Sequence, residues 1–567
     1  MLRIFGIYRF DGCVHSRAGK NIVKEMSCSR KERSELTKLE TFEFKNLFLA
    51  YESLRSDESS RYSFVSKDNQ QACFVIGNIF AYEEDKLKVL SGKNLAEFIL
   101  KKYKKDGFSF LKHLRGEFNA VLIDKDDLFL VNDKLGLSSM YICSMNEGFV
   151  FCSEAEPIIW AGKGHQMDHT SIAEFLIYGF VPDGRTFIKD LINQSPGTVV
   201  AMNAKTCVHK KYFSIETRAG LNSLSLKKRA RLVKDIFAEA VEIRVPLKGL
   251  VAQELTGGWD TRFILAGLLS SGRSPLAVTS LNTSRNDLLL SEHLTKKFNI
   301  QHCVVDDHRG HLERAFDYKF RLHKKEYFLG SRNMSLLSED IRDVKLRKAL
   351  LSKKFTGLFG SENFGFMSDT FFSVFKKKFR VEAKLKLSER FSPAIKAAKQ
   401  LRYTDNGTSN DIFYLFLTQF VRSYWNVHMN MQRDRIFDFF SLHPFVDSKV
   451  IEAMGSLEYK DNMRYKLYTA TFKQYDPAFL KIPYTFEYHR KLNGCADLWD
   501  IGFDREVKRF RERVLSNKEF LSFLEDRQII KNKKLDHDDL KKMYCLFIWR
   551  NTYRPVLRHK ADAWLIS

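Results

Sequence analysis

One strand–loop–helix segment near the middle of the chain limits the possible folds more than any other feature. Residues 249–252 form an apolar run typical of a strand, residues 255–262 have the sequence LTGGWDTR, and residues 263–269 are typical of the start of a helix. Paired glycines let backbone N–H groups approach an anion, and the dipole of a following helix favours negative charge there. We therefore predict an anion cradle at residues 256–261, within an α/β fold.

Asp260 gives this cradle its expected chemistry. A carboxylate repels phosphate unless a cation lies between them, so we interpret Asp260 as a Mg²⁺ ligand that bridges to a polyphosphate. No Walker motif occurs in the chain. The plain alternative is a turn at a sheet edge, with Asp260 as a helix cap. The segment resembles the S-G-G-x-D-S loop of ATP pyrophosphatases, which cleave ATP to AMP and pyrophosphate, with Thr256 and Thr261 at the positions of the serines.

The segments that follow the loop predict a parallel sheet. Residues 276–280 and 303–305 have the composition of strands, and residues 288–294 between them have that of a helix. This β–α–β order places the loop at the carboxyl edge of a parallel sheet. Beyond about residue 310 the sequence indicates helices. We place this second domain at residues 225–567.

The first part of the chain has a different pattern. Short apolar or alternating segments separated by turn residues indicate β-strands at residues 4–8, 72–77, 118–123, 128–133 and 198–201. Helices are indicated at residues 95–100, 171–176 and 226–241, and the polar residues 217–223 are the best candidate for a linker. The pattern predicts a mostly β domain at residues 1–210.

Composition limits the class of protein. A chain of 567 residues is too long for a single hydrophobic core, so we expect more than one domain. The net charge of +24 leaves a nucleic-acid-binding protein open as an alternative, although no nucleic-acid module is visible. The nine cysteines are scattered without a C-x-x-C pair, so we expect no zinc site. The chain has neither an apolar run of about 18 residues nor a signal peptide, which leads us to expect a cytoplasmic protein.

Several short motifs, in this order, resemble those of asparagine synthetases and their relatives. They are residues 4–7 (IFGI), 77–80 (GNIF), 116–118 (GEF), 132–136 (NDKLG), 140–141 (MY), 151–154 (FCSE), 195–197 (SPG) and 443–447 (HPFVD). The resemblance covers most of the chain. It implies an α/β two-domain protein, with an N-terminal Ntn-hydrolase-like αββα sandwich and a C-terminal adenine-nucleotide α-hydrolase-like parallel sheet with a helical C-terminal part.

The N-terminal part departs from this family at the glutaminase site. Family glutaminases use a Cys directly after the initiator Met, whose amine is the base and whose thiol is the nucleophile, whereas position 2 here is Leu2. Ile76-Gly77 replaces the family's Asn-Gly pair, which removes an oxyanion donor. Cys13 lies too far along the chain to supply an N-terminal amine. We predict no glutaminase activity, as in β-lactam synthetases and lasso-peptide cyclases, which this chain also resembles.

The synthetase half keeps some of the family's residues and lacks others. Residues 356–365 align with the family's second acidic segment, in which Glu362 keeps one acid while Leu358 and Ser361 replace two others. The resemblance implies that Asp260, Glu362 and Lys491 are catalytic, with Lys491 neutralising charge in the transition state. For Glu362 a capping acid is the alternative, and for Lys491 an ordinary surface lysine.

The resemblance also implies the residues that contact the nucleotide. They lie along the loop and on neighbouring segments, at Leu255, Thr256, Gly257, Gly258, Asp260, Thr261, Arg262, Val278 and Gly357. Arg262 could reach a phosphate or a substrate carboxylate with its forked guanidinium, or form a salt bridge on the helix flank. Asp287 and Glu292 fall where the family has acids, and both also fit exposed helix positions.

Together these features predict an ATP-dependent carbon–nitrogen ligase that uses ATP and Mg²⁺. A substrate carboxylate would be adenylated with release of pyrophosphate, and an amine or ammonia would then displace AMP to form an amide. The alternative is a pseudo-synthetase that acts as a binding or scaffold protein, which the loss of acids at Leu358 and Ser361 favours. The sequence names neither the carboxylate nor the amine, and it leaves a homodimer open.

Overall fold

The computed structural model shows a mixed α/β chain with two antiparallel sheets and one parallel sheet. It describes residues 3–11, 37–54, 62–90, 94–146, 148–161, 165–168, 170–172, 175, 181, 184–203, 206–215, 221–245, 251–280, 285–305, 354–355, 441–457, 466–484, 546 and 550.

The strands of the N-terminal part are short, with two exceptions that exceed ten residues. They are β1 (Arg3–Arg9), β2 (Thr37–Glu43), β3 (Leu47–Leu54), β4 (Ser63–Val65), β5 (Gln71–Glu83), β6 (Leu87–Val89), β7 (Leu114–Asp124), β8 (Asp127–Asn132), β9 (Tyr141–Met145), β10 (Gly148–Cys152), β11 (Leu191–Asn193), β12 (Thr198–Met202) and β13 (Cys207–Lys211). One sheet has the order β11-β9-β10-β1-β3-β2, and the other has the order β13-β12-β8-β7-β5-β4, with β6 paired to β5.

The described helices are distributed along the whole chain. They are α1 (Leu95–Asp106), α2 (Ala155–Ala161), α3 (Leu226–Glu242), α4 (Trp259–Ser270), α5 (Arg285–Lys297), α6 (Ser448–Gly455) and α7 (Lys466–Tyr475). Short 3₁₀ helices occupy Ser109–His113, Leu221–Ser223, Pro444–Val446 and Pro477–Lys481. None of the described helices combines the length and the apolar composition needed to cross a membrane.

The two antiparallel sheets pack face to face. Ile4 and Tyr8 of β1 share one buried cluster with Phe74 of β5 and Val121 of β7, because alternate residues of each strand point to the same face. On the opposite face of the second sheet, Ile99 of α1 packs in a separate buried cluster. Helix α2 contacts β10 of the first sheet. The two antiparallel sheets therefore form two layers, with α1 on the outer face of the second sheet, and the full helix–sheet–sheet–helix order stays a prediction.

The third sheet is parallel and has the order β16-β15-β14-β17-β18. Its strands are β14 (Ala252–Glu254), β15 (Leu276–Ser280), β16 (His302–Val305), β17 (Lys354–Phe355) and β18 (Ser441–Leu442). Helices α4 and α5 make the connections from β14 to β15 and from β15 to β16. Because β14 lies in the middle, the loop that follows it emerges at the centre of the carboxyl edge, as the β–α–β order predicts.

An apolar core joins the antiparallel sheets to the C-terminal part. Phe80 and Leu137 share one buried cluster with Phe237 of α3, Phe263 of α4 and Phe445. Phe237 lies with its ring centroid 4.7 Å from that of Phe263 and 4.6 Å from that of Phe445. Aromatic side chains bury large apolar areas, so this cluster holds the two parts of the chain against each other.

The structure shifts two boundaries next to the loop. The predicted strand at residues 249–252 is instead β14, which begins at Ala252 and continues to Glu254. The helix begins at Trp259 rather than at residue 263, because Gly258 has extended backbone angles (φ −71°, ψ 162°) and acts as its N-cap. Asp260 and Thr261 therefore belong to the first helical turn.

Most other predicted elements agree with the structure. The predicted strands at residues 4–8, 118–123, 198–201 and 276–280 lie within β1, β7, β12 and β15, and the helix predicted at residues 226–241 lies within α3. Most of the linker candidate and most of the helices expected beyond residue 310 fall outside the described residues. The domain limits 1–210 and 225–567 stay predictions.

Candidate functional site

Two threonine hydroxyls shape the loop between β14 and α4. Thr256 Oγ1 lies 3.1 Å from Thr261 Oγ1. The amide of Thr256 donates to Thr261 Oγ1 over 3.1 Å, and the amide of Gly258 donates to Thr256 Oγ1 over 3.2 Å. Gly258 gives α4 no side-chain cap. The helix N-terminus therefore keeps the partial positive charge that favours an anion.

Asp287 closes the loop from the side of α5. Its Oδ1 atom accepts a hydrogen bond of 2.9 Å from the amide of Gly257, which is one of the expected anion donors. The sequence identified Asp287 only as a weaker candidate on an exposed helix. The structure brings Asp287 to the loop, so α5 contributes a carboxylate beside the proposed anion cradle.

Asp260 is half-buried in the first turn of α4. Its Oδ1 atom accepts a hydrogen bond of 2.6 Å from the hydroxyl of Tyr468 on α7. Within the described residues, no group of three His, Cys, Asp or Glu side chains is arranged to hold a metal ion. Glu362 and Lys491, the other predicted catalytic residues, lie outside the described residues, as do Gly357, Leu358 and Ser361.

Arg262 has partners other than the expected phosphate. Its side chain is buried, and one terminal nitrogen donates to the carbonyl groups of Phe479 (3.0 Å) and Ile482 (2.6 Å). The other terminal nitrogen donates to the carbonyl groups of Gly257 (3.0 Å) and Pro483 (2.9 Å). Four backbone acceptors thus hold the guanidinium, which ties the loop to the segment after α7. The nucleotide contact and the salt bridge expected for Arg262 stay predictions beside these four carbonyl contacts.

Leu255 and Val278, which were expected to contact the nucleotide, meet at the edge of the sheet. The amide of Leu255 donates to the carbonyl of Val278 over 2.9 Å, and the carbonyl of Leu255 accepts from the Thr279 hydroxyl over 2.8 Å. Both side chains at positions 255 and 278 are buried. Their backbone groups therefore fix the position of the loop relative to β15.

The first residue of β1 is a buried arginine that pairs with two acids. The Arg3 guanidinium is buried, donates to Glu52 over 2.6 Å and lies 3.5 Å from a carboxylate oxygen of Glu154. Ile76 packs in the core between the two antiparallel sheets. Gly77 has φ +93°, and a Cβ atom built there would lie 2.1 Å from the carbonyl oxygen of Glu117, which requires glycine.

A buried ion cluster connects the antiparallel sheets to the C-terminal part. Asp447, at the N-cap of α6, accepts from Arg115 of β7 over 2.8 and 3.3 Å and from Arg244 after α3 over 2.8 Å. Arg115 also pairs with Glu239 of α3. Burial alone would raise the pKa of Asp447, but the guanidinium groups of Arg115 and Arg244 hold this pKa below its usual value.

Glu117 is a second acid of this cluster, and its pKa shifts in the opposite direction to that of Asp447. It is buried, and Arg244 Nη2 is 3.7 Å from its Oε1 atom, beyond hydrogen-bond distance. Burial raises the pKa of Glu117 to about 8 against the opposing charge of Arg244, and the charges of Asp133 and Asp447 act in the same direction as burial. Glu117 is therefore mostly protonated at pH 7.

This pKa leads to an expected pH dependence of stability. The folded chain keeps the Glu117 proton up to about pH 8, whereas the ordinary value is 4.5. Stability should therefore fall as pH rises through this window, by at most about 1.4 kcal/mol per pH unit from this group. Glu117→Gln should remove that contribution. Urea unfolding at pH 5, 6.5 and 8 measures it, and parallel curves for wild type and variant would contradict the assignment.

Comparisons with known proteins give a family likeness for the first part of the chain. The family described as glutamine amidotransferase domain matches residues 11–213. Over 324 residues the chain is 24% identical to the amidase chyE of Penicillium rubens, and the match covers 52% of this chain and 42% of that protein. Over 158 residues it is 23% identical to asparagine synthetase [glutamine-hydrolyzing] 1 of Bacillus subtilis, which covers 27% of this chain and 24% of that protein.

Among solved structures, the glutamine phosphoribosylpyrophosphate amidotransferase of B. subtilis matches 62% of this chain and 74% of its own, with 11% identity and a TM-score of 0.25, too low to carry an argument. The matches span less than half the length of the curated relatives. The comparisons thus show that the chain is similar to glutamine amidotransferases in its N-terminal part and weakly similar to asparagine synthetases and amidases.

Proposed function

We propose that the chain catalyses ATP-dependent formation of an amide bond. In this reaction a substrate carboxylate is adenylated with release of pyrophosphate, and an amine or ammonia then displaces AMP. The observation that carries the proposal is the loop of residues 256–261, in which an α-helix without a side-chain cap begins beside two hydroxyl groups and a half-buried carboxylate. The weak similarity to asparagine synthetases supports the same reaction class.

The residues of the loop fit a nucleotide polyphosphate with a divalent cation. Thr256 and Thr261 have hydroxyl groups that can donate to phosphate oxygens once their mutual contact opens. Asp260 lies in the first turn of α4 and Asp287 accepts from the amide of Gly257, and acids beside a phosphate site require a cation between the charges. Mg²⁺ would supply that charge neutralisation, with Asp260 as the ligand from this chain. Arg262 keeps the loop in position through its carbonyl contacts.

Calorimetric titration with a non-hydrolysable α,β-analogue of ATP tests the proposal. We expect wild-type protein to bind the analogue in the presence of Mg²⁺ and to bind it much more weakly in the presence of EDTA. GTP analogues serve as the control for base recognition. Absence of binding under both conditions would exclude a nucleotide site at the loop and overturn the proposal.

We further propose that the N-terminal part does not hydrolyse glutamine. The buried pairs of Arg3 with Glu52 and Glu154 occupy the start of β1, and Ile76 presents an apolar side chain where the family has an amide donor. The expected result is no release of glutamate above background when the protein is incubated with glutamine, ATP and Mg²⁺. A parallel incubation with ammonium in place of glutamine is the matched control for the nitrogen source. Glutamate release that depends on protein concentration would contradict this proposal.

A further inference from the structure

Tyr468 is a buried residue whose only polar side-chain atom lies at the proposed site. Its side chain is fully buried, and its hydroxyl donates to Asp260 Oδ1 over 2.6 Å. The two residues lie 208 positions apart, on α7 and α4. A hydrogen bond from a neutral hydroxyl to a carboxylate is charge-assisted and is stronger than a bond between neutral groups.

Aromatic packing fixes the ring that carries this hydroxyl. The Tyr468 ring centroid is 5.7 Å from that of Trp259 and 5.2 Å from that of Phe263, both on α4, and 6.1 Å from that of Phe472 on α7. The contact with Phe263 is edge-on, and that with Phe472 is stacked. Since a ring held on three sides keeps one orientation, the hydroxyl presents its proton to Asp260 from a constant direction.

We propose that Tyr468 is a positioning residue that orients the Asp260 carboxylate for a divalent cation. The inference rests on the proposed function and adds to it the residue that sets the geometry of the metal ligand. Hydrogen bonds to a ligating carboxylate restrict its rotation and direct the remaining lone pairs towards the metal. Without the hydroxyl, the carboxylate rotates more freely, and cation binding must pay the entropy of ordering it.

A positioning role and a purely structural role of Tyr468 predict different effects on nucleotide binding. A residue that only stabilises the packing of α7 on α4 would affect nucleotide binding equally with and without the cation. A residue that orients Asp260 changes the apparent affinity for Mg²⁺ and leaves the weak cation-free binding of the nucleotide unchanged. The cation dependence therefore separates the two roles.

The test is Tyr468→Phe, which removes the hydroxyl and keeps the ring. At a saturating concentration of the α,β-analogue of ATP, Mg²⁺ is titrated in the calorimeter, and we expect the apparent Mg²⁺ affinity to fall by about 10–100-fold. The matched control is Tyr475→Phe on the same helix, because Tyr475 donates to the carbonyl of Lys234 over 3.0 Å and packs edge-on against Phe263. The control should keep the Mg²⁺ affinity of the wild type.

A double variant completes the test. In an Asp260→Asn background, Tyr468→Phe should cause no further loss of Mg²⁺ affinity, because there is no carboxylate left to orient. An unchanged Mg²⁺ affinity in Tyr468→Phe, or an equal loss of nucleotide binding in EDTA, would overturn the positioning role while the proposed function stands. If wild-type protein shows no Mg²⁺-dependent binding, the proposed function and this inference fail together.

Discussion

Replacing Asp447 by alanine is expected to lower the free energy of unfolding by about 3–5 kcal/mol, the range measured when one partner of a buried ion pair is removed. Asp447, Arg115 and Arg244 are all buried, so the variant leaves two guanidinium groups without their shared carboxylate. The same side chain caps α6 by accepting from the amide of Lys449 over 3.0 Å. Urea unfolding followed by far-UV circular dichroism measures the loss.

Two further variants separate the charge of Asp447 from its role as a cap and from the neighbouring ion pairs of Lys449. Asp447→Asn keeps a good N-cap residue and removes the negative charge, so it should retain most of the destabilisation. Lys449→Met removes a partly exposed ammonium that lies 2.6 Å from Glu83 and 3.1 Å from Glu239, and should cost no more than about 1 kcal/mol. A loss below about 1 kcal/mol in Asp447→Ala would show that the ion cluster does not stabilise the contact between the two parts.

Asp260→Asn is expected to weaken Mg²⁺-dependent binding of the ATP analogue by at least about 100-fold, because an amide replaces the only cation ligand assigned in the described part of the chain. The hydrogen bond from Tyr468 survives in the variant, since the amide oxygen of asparagine can accept it. The fold should therefore be retained. Titration calorimetry with and without Mg²⁺ measures the change.

The matched control for Asp260→Asn is Asp235→Asn. Asp235 lies on α3 with its side chain 60% exposed, and its ion pair with Lys234 spans 3.9 Å. This control removes one negative charge from the surface and should leave nucleotide binding unchanged, since exposed charges are screened by salt. Equal binding by Asp260→Asn and wild type would remove Asp260 from the metal site.

The loop and its sheet could be predicted because their signals are local. A strand, a Gly-Gly turn and a helix start occur within about twenty residues, and the β–α–β order then fixes where the loop emerges. The helix start was displaced because Gly258 acts as an N-cap without a side chain, so no Ser, Asp or Asn marks the position. The long strand β5 exceeded the predicted segment because it continues past an irregularity between Ile79 and Ala81.

The contacts that hold the site could not be predicted from one sequence. Tyr468 meets Asp260 across 208 positions, and Arg115 meets Asp447 across 332 positions. The sequence around Tyr468 and Arg115 has no pattern that identifies such distant partners, so these pairs are set by tertiary packing. Arg262 is a similar case, because its position beside the loop indicated a phosphate contact but not the four backbone carbonyl groups to which its guanidinium donates. No sequence signal identified the carbonyl groups of Phe479, Ile482 and Pro483 as its acceptors.

Hydrogen–deuterium exchange of the wild-type protein with and without the Mg²⁺-bound ATP analogue tests the central claim most directly. We expect slower amide exchange at residues 256–262, where the loop amides and the first turn of α4 would bind the polyphosphate, and no such change in Asp260→Asn. Slower exchange confined to other segments, or no change under conditions in which calorimetry detects binding, would contradict the assignment of this loop as the nucleotide site.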